Sequence, residues 1–183
     1  MPDISELRQQ IQKLEEAIRL KLPEVATLIS LSAKAFAERN IKETGFGEVY
    51  SHNEVPAWFF RDKELNKIGE TFINQKIKDR KGTNWQELRA AQGLQTQHVD
   101  LTYRGTMWAG MLPEEPFWEN DVVRAPLAGG NREVQNEMNW NRDRYGDFLG
   151  KALTPENFIS LLQVAYDEII HLIEESGINF KKS

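Results

Sequence analysis

The chain has 183 residues, 40% of them hydrophobic and 28% charged, with a formal net charge of -5 and no cysteine. A chain of that size can bury roughly two-thirds of its unfolded surface, so one self-sufficient domain over 1–183 is expected. The acidic balance argues against binding by broad phosphate neutralisation, and the missing thiols remove disulfide frameworks, thiolate metal sites and cysteine nucleophiles.

The opening Met-Pro-Asp-Ile-Ser-Glu is polar and acidic, and no apolar run reaches bilayer length, so a cytoplasmic start and no membrane role are expected. Ile4, Leu7, Ile11, Leu14 and Ile18 recur at spacings of three and four, which predicts an amphipathic helix with a narrow apolar seam. Pro23 lacks an amide and crowds the preceding turn, so the helix should kink or restart there. It then runs from Glu24 to about Lys42, burying Val25, Leu28, Ile29, Ser32, Ala35 and Phe36, and Gly45 ends it. The seam over 1–22 has two readings. Either it packs on its own domain, or it protrudes and seats a neighbouring subunit through Ile11 and Leu14.

Phe46, Val49, Tyr50, Val55, Trp58, Phe59 and Phe60 read as one or two short strands between Gly45 and Arg61. Lys63 to Lys78 reads as a helix with Gly69 as its weak point, and Thr83 or Asn84 caps a short helix from Trp85 to Ala91 that Gly93 closes. A strand around Thr106 to Leu112, a turn through Pro113-Glu-Glu-Pro116 and a return strand near Val122 to Leu127 make a hairpin or meander. Asn131 to Trp140 reads as a short helix and Asn141 to Leu149 as a loop.

The last helix has the clearest signals. Thr154 can accept from first-turn amides, Pro155 needs no partner at the first helical position, and Glu156 suits the positive end of the macrodipole. Phe158, Leu161, Leu162, Ala165, Ile169, Leu172 and Ile173 form the apolar stripe, with Gly177 as the stop. The fold class is α+β: a long N-terminal helix kinked near Pro23, a small antiparallel sheet, and a C-terminal helix packed on it.

Chemistry is sparse. His52, His98 and His171 stand far apart and form no ligand motif; His98 and Asp100 share strand spacing, a pattern common by chance. Asn139, Asn141, Asp143 and Asp147 lack the order of a calcium loop. No nucleophile elbow or phosphate loop is present, so no catalytic residue, cofactor or metal site is assigned. Trp58, Trp85, Trp108, Trp118 and Trp140 are core packing or interface residues, and Arg142, Arg144 and Lys151 among Asp143 and Asp147 make a mixed-sign loop that could match a copy of itself head to tail.

The segments Trp85-Gln-Glu-Leu88, Leu101-Thr-Tyr-Arg-Gly-Thr-Met107 and Phe148-Leu-Gly-Lys-Ala-Leu-Thr-Pro-Glu-Asn157 follow one another in an order that resembles the phage virion morphogenesis, or tail completion, proteins. Asp143-Arg-Tyr-Gly-Asp147 stands where that family has Pro-x-Arg-Pro, and 46–78 has no counterpart. The resemblance implies a non-enzymatic part of the tail or head–tail connector, assembled in the bacterial host cytoplasm and carried in the virion. Copies would close a ring, six-fold in one form, against neighbouring neck or tail proteins, with DNA passing through an acidic lumen unbound. The interface residues implied are Trp108, Trp118, Arg142 and Arg144, with Ile11 and Leu14 on the seam. The rival is a polysaccharide- or peptidoglycan-acting enzyme or binding module that uses exposed tryptophans as sugar platforms and pairs Asp100 with Glu114 or Glu115.

Overall fold

The computed structural model describes residues 4–61, 63, 65–101 and 106–175. Its architecture is α+β, and it divides into two compact units: unit 1 comprises 1–40 and 102–183, and unit 2 comprises 41–101. The one core expected from length is therefore replaced by an insertion that carries a cluster of its own, Phe60, Ile73 and Leu88.

Helix α1, Ile4–Glu43, is continuous through Pro23, so the restart expected there does not occur. An interior proline costs about 3 kcal/mol. Burial along the half of the helix that follows offsets that cost: Val25, Ala37 and Ile41 are at most 2% exposed. Thr27 also donates its hydroxyl to the Pro23 carbonyl at 3.0 Å. Gly45, at φ 75°, ends the helix as expected.

In unit 2, strand β1 (Val55–Pro56) pairs antiparallel with β2 (Gly82–Thr83), and helices α2 (Lys67–Lys78) and α3 (Trp85–Ala91) pack together. The strands expected across 46–61 shrink to β1, because Ala57–Phe60 coils into a 3₁₀ turn. That turn buries Ala57 and Phe60 on one side, and Phe60 meets the edge of Trp85 at 4.9 Å between centroids. Asn66 and Asn84 cap the two helices by accepting from Gly69 and Glu87 amides at 2.8 and 2.9 Å.

In unit 1, Thr106–Gly110 is a helix, α4, where a strand was expected; it turns both Met107 and Trp108 inward. The sheet is a single long hairpin drawn from β3 (Met111–Pro113), β4 (Phe117–Glu119), β5 (Val122–Arg124) and β6 (Leu127–Gly129). Strand β3 pairs with β6, Met111 opposite Gly129, and β4 pairs with β5, Phe117 opposite Arg124. The register shifts by one between the two ladders because residues 114–116 face only 125–126, a bulge bridged by the Glu114 amide and the Pro126 carbonyl at 2.8 Å. The turn lies not at 113–116 but at Asn120-Asp121, where Asn120 takes φ 56°.

Helix α5, Arg132–Tyr145, begins at the Asn131 cap but overruns the loop expected from Asn141. Asn141 is buried, donates to the Glu137 carbonyl at 2.9 Å and touches Met107, so its side chain is bound within the helix instead of breaking it. Gly146, at φ 72°, stops α5, and Asp147 caps the short α6, Phe148–Ala152. Helix α7, Pro155–Glu175, starts as its signals require: Thr154 and Asn157 exchange side-chain-to-amide bonds at 3.3 and 3.0 Å. Gly177 lies outside the described residues. The helix most extensively packed on the hairpin is α5, not the C-terminal one. Helix α7 instead returns along α1: Asn40 donates to Asn157 at 2.7 Å, and Lys21 feels Glu168 and Glu175 toward the other end.

Gly129 is where α5 meets β6 most closely. A Cβ there would stand 2.2 Å from the Gln135 amide nitrogen and 2.6 Å from its Cα, and backbone cannot swing aside. Gly129→Ala should therefore lower stability by about 3 kcal/mol, read as a large fall in the urea midpoint, whereas Ala128→Gly should cost only about 1 kcal/mol.

Candidate interaction surfaces

The residues singled out in the sequence have different fates. Trp108 is 1% exposed, meets Phe148 edge-on at 6.3 Å between centroids and belongs to the core of unit 1, so it is withdrawn as a surface residue. The reason is α4: a helical turn buries neighbours that a strand would have put on opposite faces. Trp118 is 38% exposed on the hairpin, and the Arg19 guanidinium of α1 sits 5.2 Å from its ring centre. Ile11 is exposed and Leu14 half-buried, and every described side chain of 4–13 is exposed. Arg142 and Arg144 lie in the last turn of α5, not a loop, where cations oppose the negative end of the macrodipole. Arg142 donates to Asn139 at 3.1 Å, and Arg144 lies 5.4 Å from the centre of the exposed Trp140 ring.

Helix α7 adds a surface the single-stripe reading missed. Leu161 is buried, but Phe158, Ile159, Leu162 and Tyr166 are 51 to 70% exposed and follow one another at helical spacing. The helix therefore has two apolar faces, one used inside unit 1 and one open. The sequence signal was available: Ile159 and Tyr166 sit just off the assigned stripe. On the hairpin, Leu112, Phe117 and Val122 are exposed as well.

Unit 2 holds a buried polar network. Arg89 (2% exposed) donates to Asp100 (4%) at 2.7 Å and to the Gln95 carbonyl at 3.0 Å. Tyr50 donates to the other Asp100 oxygen at 2.8 Å, its ring lies 4.7 Å from the Arg89 guanidinium carbon, and its hydroxyl accepts from the Asp100 amide at 3.3 Å. Arg89 shares the inward stripe of α3 with Trp85, Leu88 and Gln92, which was its legible signal. Both Asp100 oxygens are thus engaged, one by Arg89 and one by Tyr50, while Glu114 and Glu115 are exposed.

His52 and His171 are exposed, and His98 Nε2 lies 3.2 Å from the Lys42 carbonyl. Asn139 accepts from Gln135 and Arg142, and Asp147 caps α6. Among the described residues no cluster of three or more histidine or acidic side chains could hold a metal, and no helix is long and apolar enough to cross a membrane.

Comparison of the chain with protein-family models, curated proteins and solved structures returns no match.

Burial, ahead of every other influence, pushes the Tyr50 hydroxyl well above its ordinary value of 10.0, while the Asp100 amide and the Arg89 charge pull the other way. The fold favours the neutral phenol, so this contribution is full below about pH 10 and is lost as pH rises toward the folded value. Between pH 10 and 12 the wild type should lose stability more steeply than Tyr50→Phe; parallel profiles in urea unfolding would contradict the assignment.

Proposed function

We propose that the protein is a non-enzymatic assembly component of a phage or prophage virion, part of the tail or head–tail connector, working by ring-forming contacts between its own copies. The observation that carries the association is the open apolar face of α7, Phe158, Ile159, Leu162 and Tyr166. Contiguous apolar surface of this kind marks protein contact. A ring needs two different, complementary surfaces on each copy, and unit 1 offers such a pair. The C-terminal half of α7 carries Asp167, Glu168, Glu174 and Glu175 beside its apolar face, while the end of α5 presents Trp140 with Arg142 and Arg144. Apposition of the second surface of one copy with the first of the next would match apolar to apolar and cation to anion, with the charges setting orientation. The virion setting rests on the order of the Trp85–Leu88, Leu101–Met107 and Phe148–Asn157 segments. The acidic balance suits a channel through which DNA passes unbound. On this reading the protein acts in the virion after assembly in the host cytoplasm, with neck or tail proteins as neighbours.

Native mass spectrometry over a concentration series, with negative-stain images, tests the contact. Ile159→Asp with Leu162→Asp should leave helicity unchanged and abolish the oligomer, and Arg144→Glu should weaken it in a salt-dependent way. Ile11→Asp with Leu14→Asp tests the seam separately. Rings that survive all three sets of changes, or a strict monomer even with partner neck proteins added, would overturn the proposal.

A further inference from the structure

Unit 2 carries a cleft of about 490 Å³ beside the β1–β2 ladder, lined by Glu54, Trp58, Ile77, Arg80, Lys81 and Gly82 among others. That volume falls in the range of small-molecule sites. Three features separate it from an ordinary surface depression.

The first is the backbone at Arg80. Helix α2 closes with the Arg80 amide donating to Ile77 and the Lys81 amide donating to Lys76, at 3.1 and 2.9 Å. These are the two bonds of a Schellman cap, and they place Arg80 at its left-handed position, φ 56°. Glycine is the residue that fits there without strain. An arginine held in that conformation suggests a use for its side chain.

The second is Trp58, on the 3₁₀ turn, with 63% of its surface open. Among the described residues no ring or cation covers it, in contrast to Trp85, Trp108, Trp118 and Trp140. The third is that neither Arg80 nor Lys81 makes a side-chain hydrogen bond or ion pair among the described residues. Two unspent cations and an uncovered indole thus line one cleft, with the Glu54 carboxylate beside Gly82 at its wall.

We propose that this cleft binds a nucleoside monophosphate group, either free or as one residue of a single strand. The base stacks on Trp58, the phosphate is held by Arg80 and Lys81, and Glu54 accepts from sugar hydroxyls. A planar ring suits an open indole, and an oxyanion suits a guanidinium beside an ammonium. Unit 2 balances its own charges, with nine Lys and Arg against nine Asp and Glu over 41–101, so the acidic balance of the chain does not oppose an anion here. This site is independent of the assembly reading.

The left-handed conformation supplies the test. Arg80→Gly relieves the strain, so its melting temperature should equal or exceed that of the wild type while its affinity falls at least tenfold. Calorimetric titration of the full chain with adenosine monophosphate, inorganic phosphate and a short oligouridylate, whose sugars keep the 2'-hydroxyl, reads this directly. We expect the monophosphate to bind at least tenfold more tightly than phosphate alone, with the advantage lost in Trp58→Ala. Competition of the oligonucleotide for the same site, with greater affinity, would point to a strand as the source; binding of the free nucleotide alone would point to the metabolite. Arg80→Gly binding as the wild type does, or no binding of either nucleotide form, would overturn the proposal.

Discussion

Closure of the inserted unit is the constraint on which unit 2 depends. A segment that leaves at Ile41 and returns at Leu101 must bring its two arms together, and the entropy of closing that loop must be met by contacts near its ends. The arms meet at Gly45 and His98. A Cβ on Gly45 would stand 2.6 Å from the His98 Cβ, and the glycine also holds φ 75°, so one residue meets both a steric and a conformational demand. Just inside, the Val99 amide donates to the Glu48 carbonyl at 3.0 Å, and Tyr50 reaches Asp100. Gln95 ties the turn before them, donating to the His98 carbonyl at 2.6 Å and accepting from the Gln97 and His98 amides.

That closure explains why a charge pair sits in the interior of so small a unit. Arg89 projects from α3 into a space whose far wall is the returning arm, and Asp100 is the group on that arm. Replacing both with apolar residues of similar volume could be neutral for stability, but removing one would leave an uncompensated buried charge. The pair specifies which arm meets which helix: a shift of the 98–100 arm by one residue would leave Arg89 and Tyr50 without their Asp100 partner. Specificity and closure are therefore one device here. Buried polar groups elsewhere are less completely met: Gln92 Oε1, Trp108 Nε1 and Asn141 Oδ1 find no partner among the described residues. Each costs on the order of 1–3 kcal/mol.

Local signals were read correctly where they are chemically local. The caps at Asn84 and Thr154 and the stops at Gly45 and Gly93 needed only a side chain within three residues of its amide, or a backbone free to take positive φ. What failed depended on distant partners. The aromatic run at 57–60 has strand propensity, but α2 and α3 supply a core that a 3₁₀ turn fills better. Asn141 and Asp143 look like loop residues until Met107 is seen packed on the former. The hairpin turn was misplaced because prolines at 113 and 116 mark a bulge as readily as a turn. The two-unit division lay beyond local patterning, since nothing in the run from Asn40 to Lys42 interrupts the helix.

The tryptophans show what residue type leaves undecided. By composition all five fit either core packing or an interface, and their environments separate them. Trp108 and Trp85 are held by aromatic edges, Trp118 and Trp140 are each faced by an arginine, and only Trp58 presents an uncovered ring among the described residues. An arginine over an indole is already a satisfied contact, so a partner docking at Trp118 or Trp140 must keep the cation in place or displace it. It therefore gains less from the ring than from the aliphatic groups nearby. For association, the open face of α7 consequently outweighs the tryptophans, since Phe158, Ile159, Leu162 and Tyr166 can be dehydrated without breaking any existing contact to a cation. At Trp58 the same reasoning inverts: with no cation on the ring and two unspent ones in the same cleft, the ring and the charges remain available together to a single ligand.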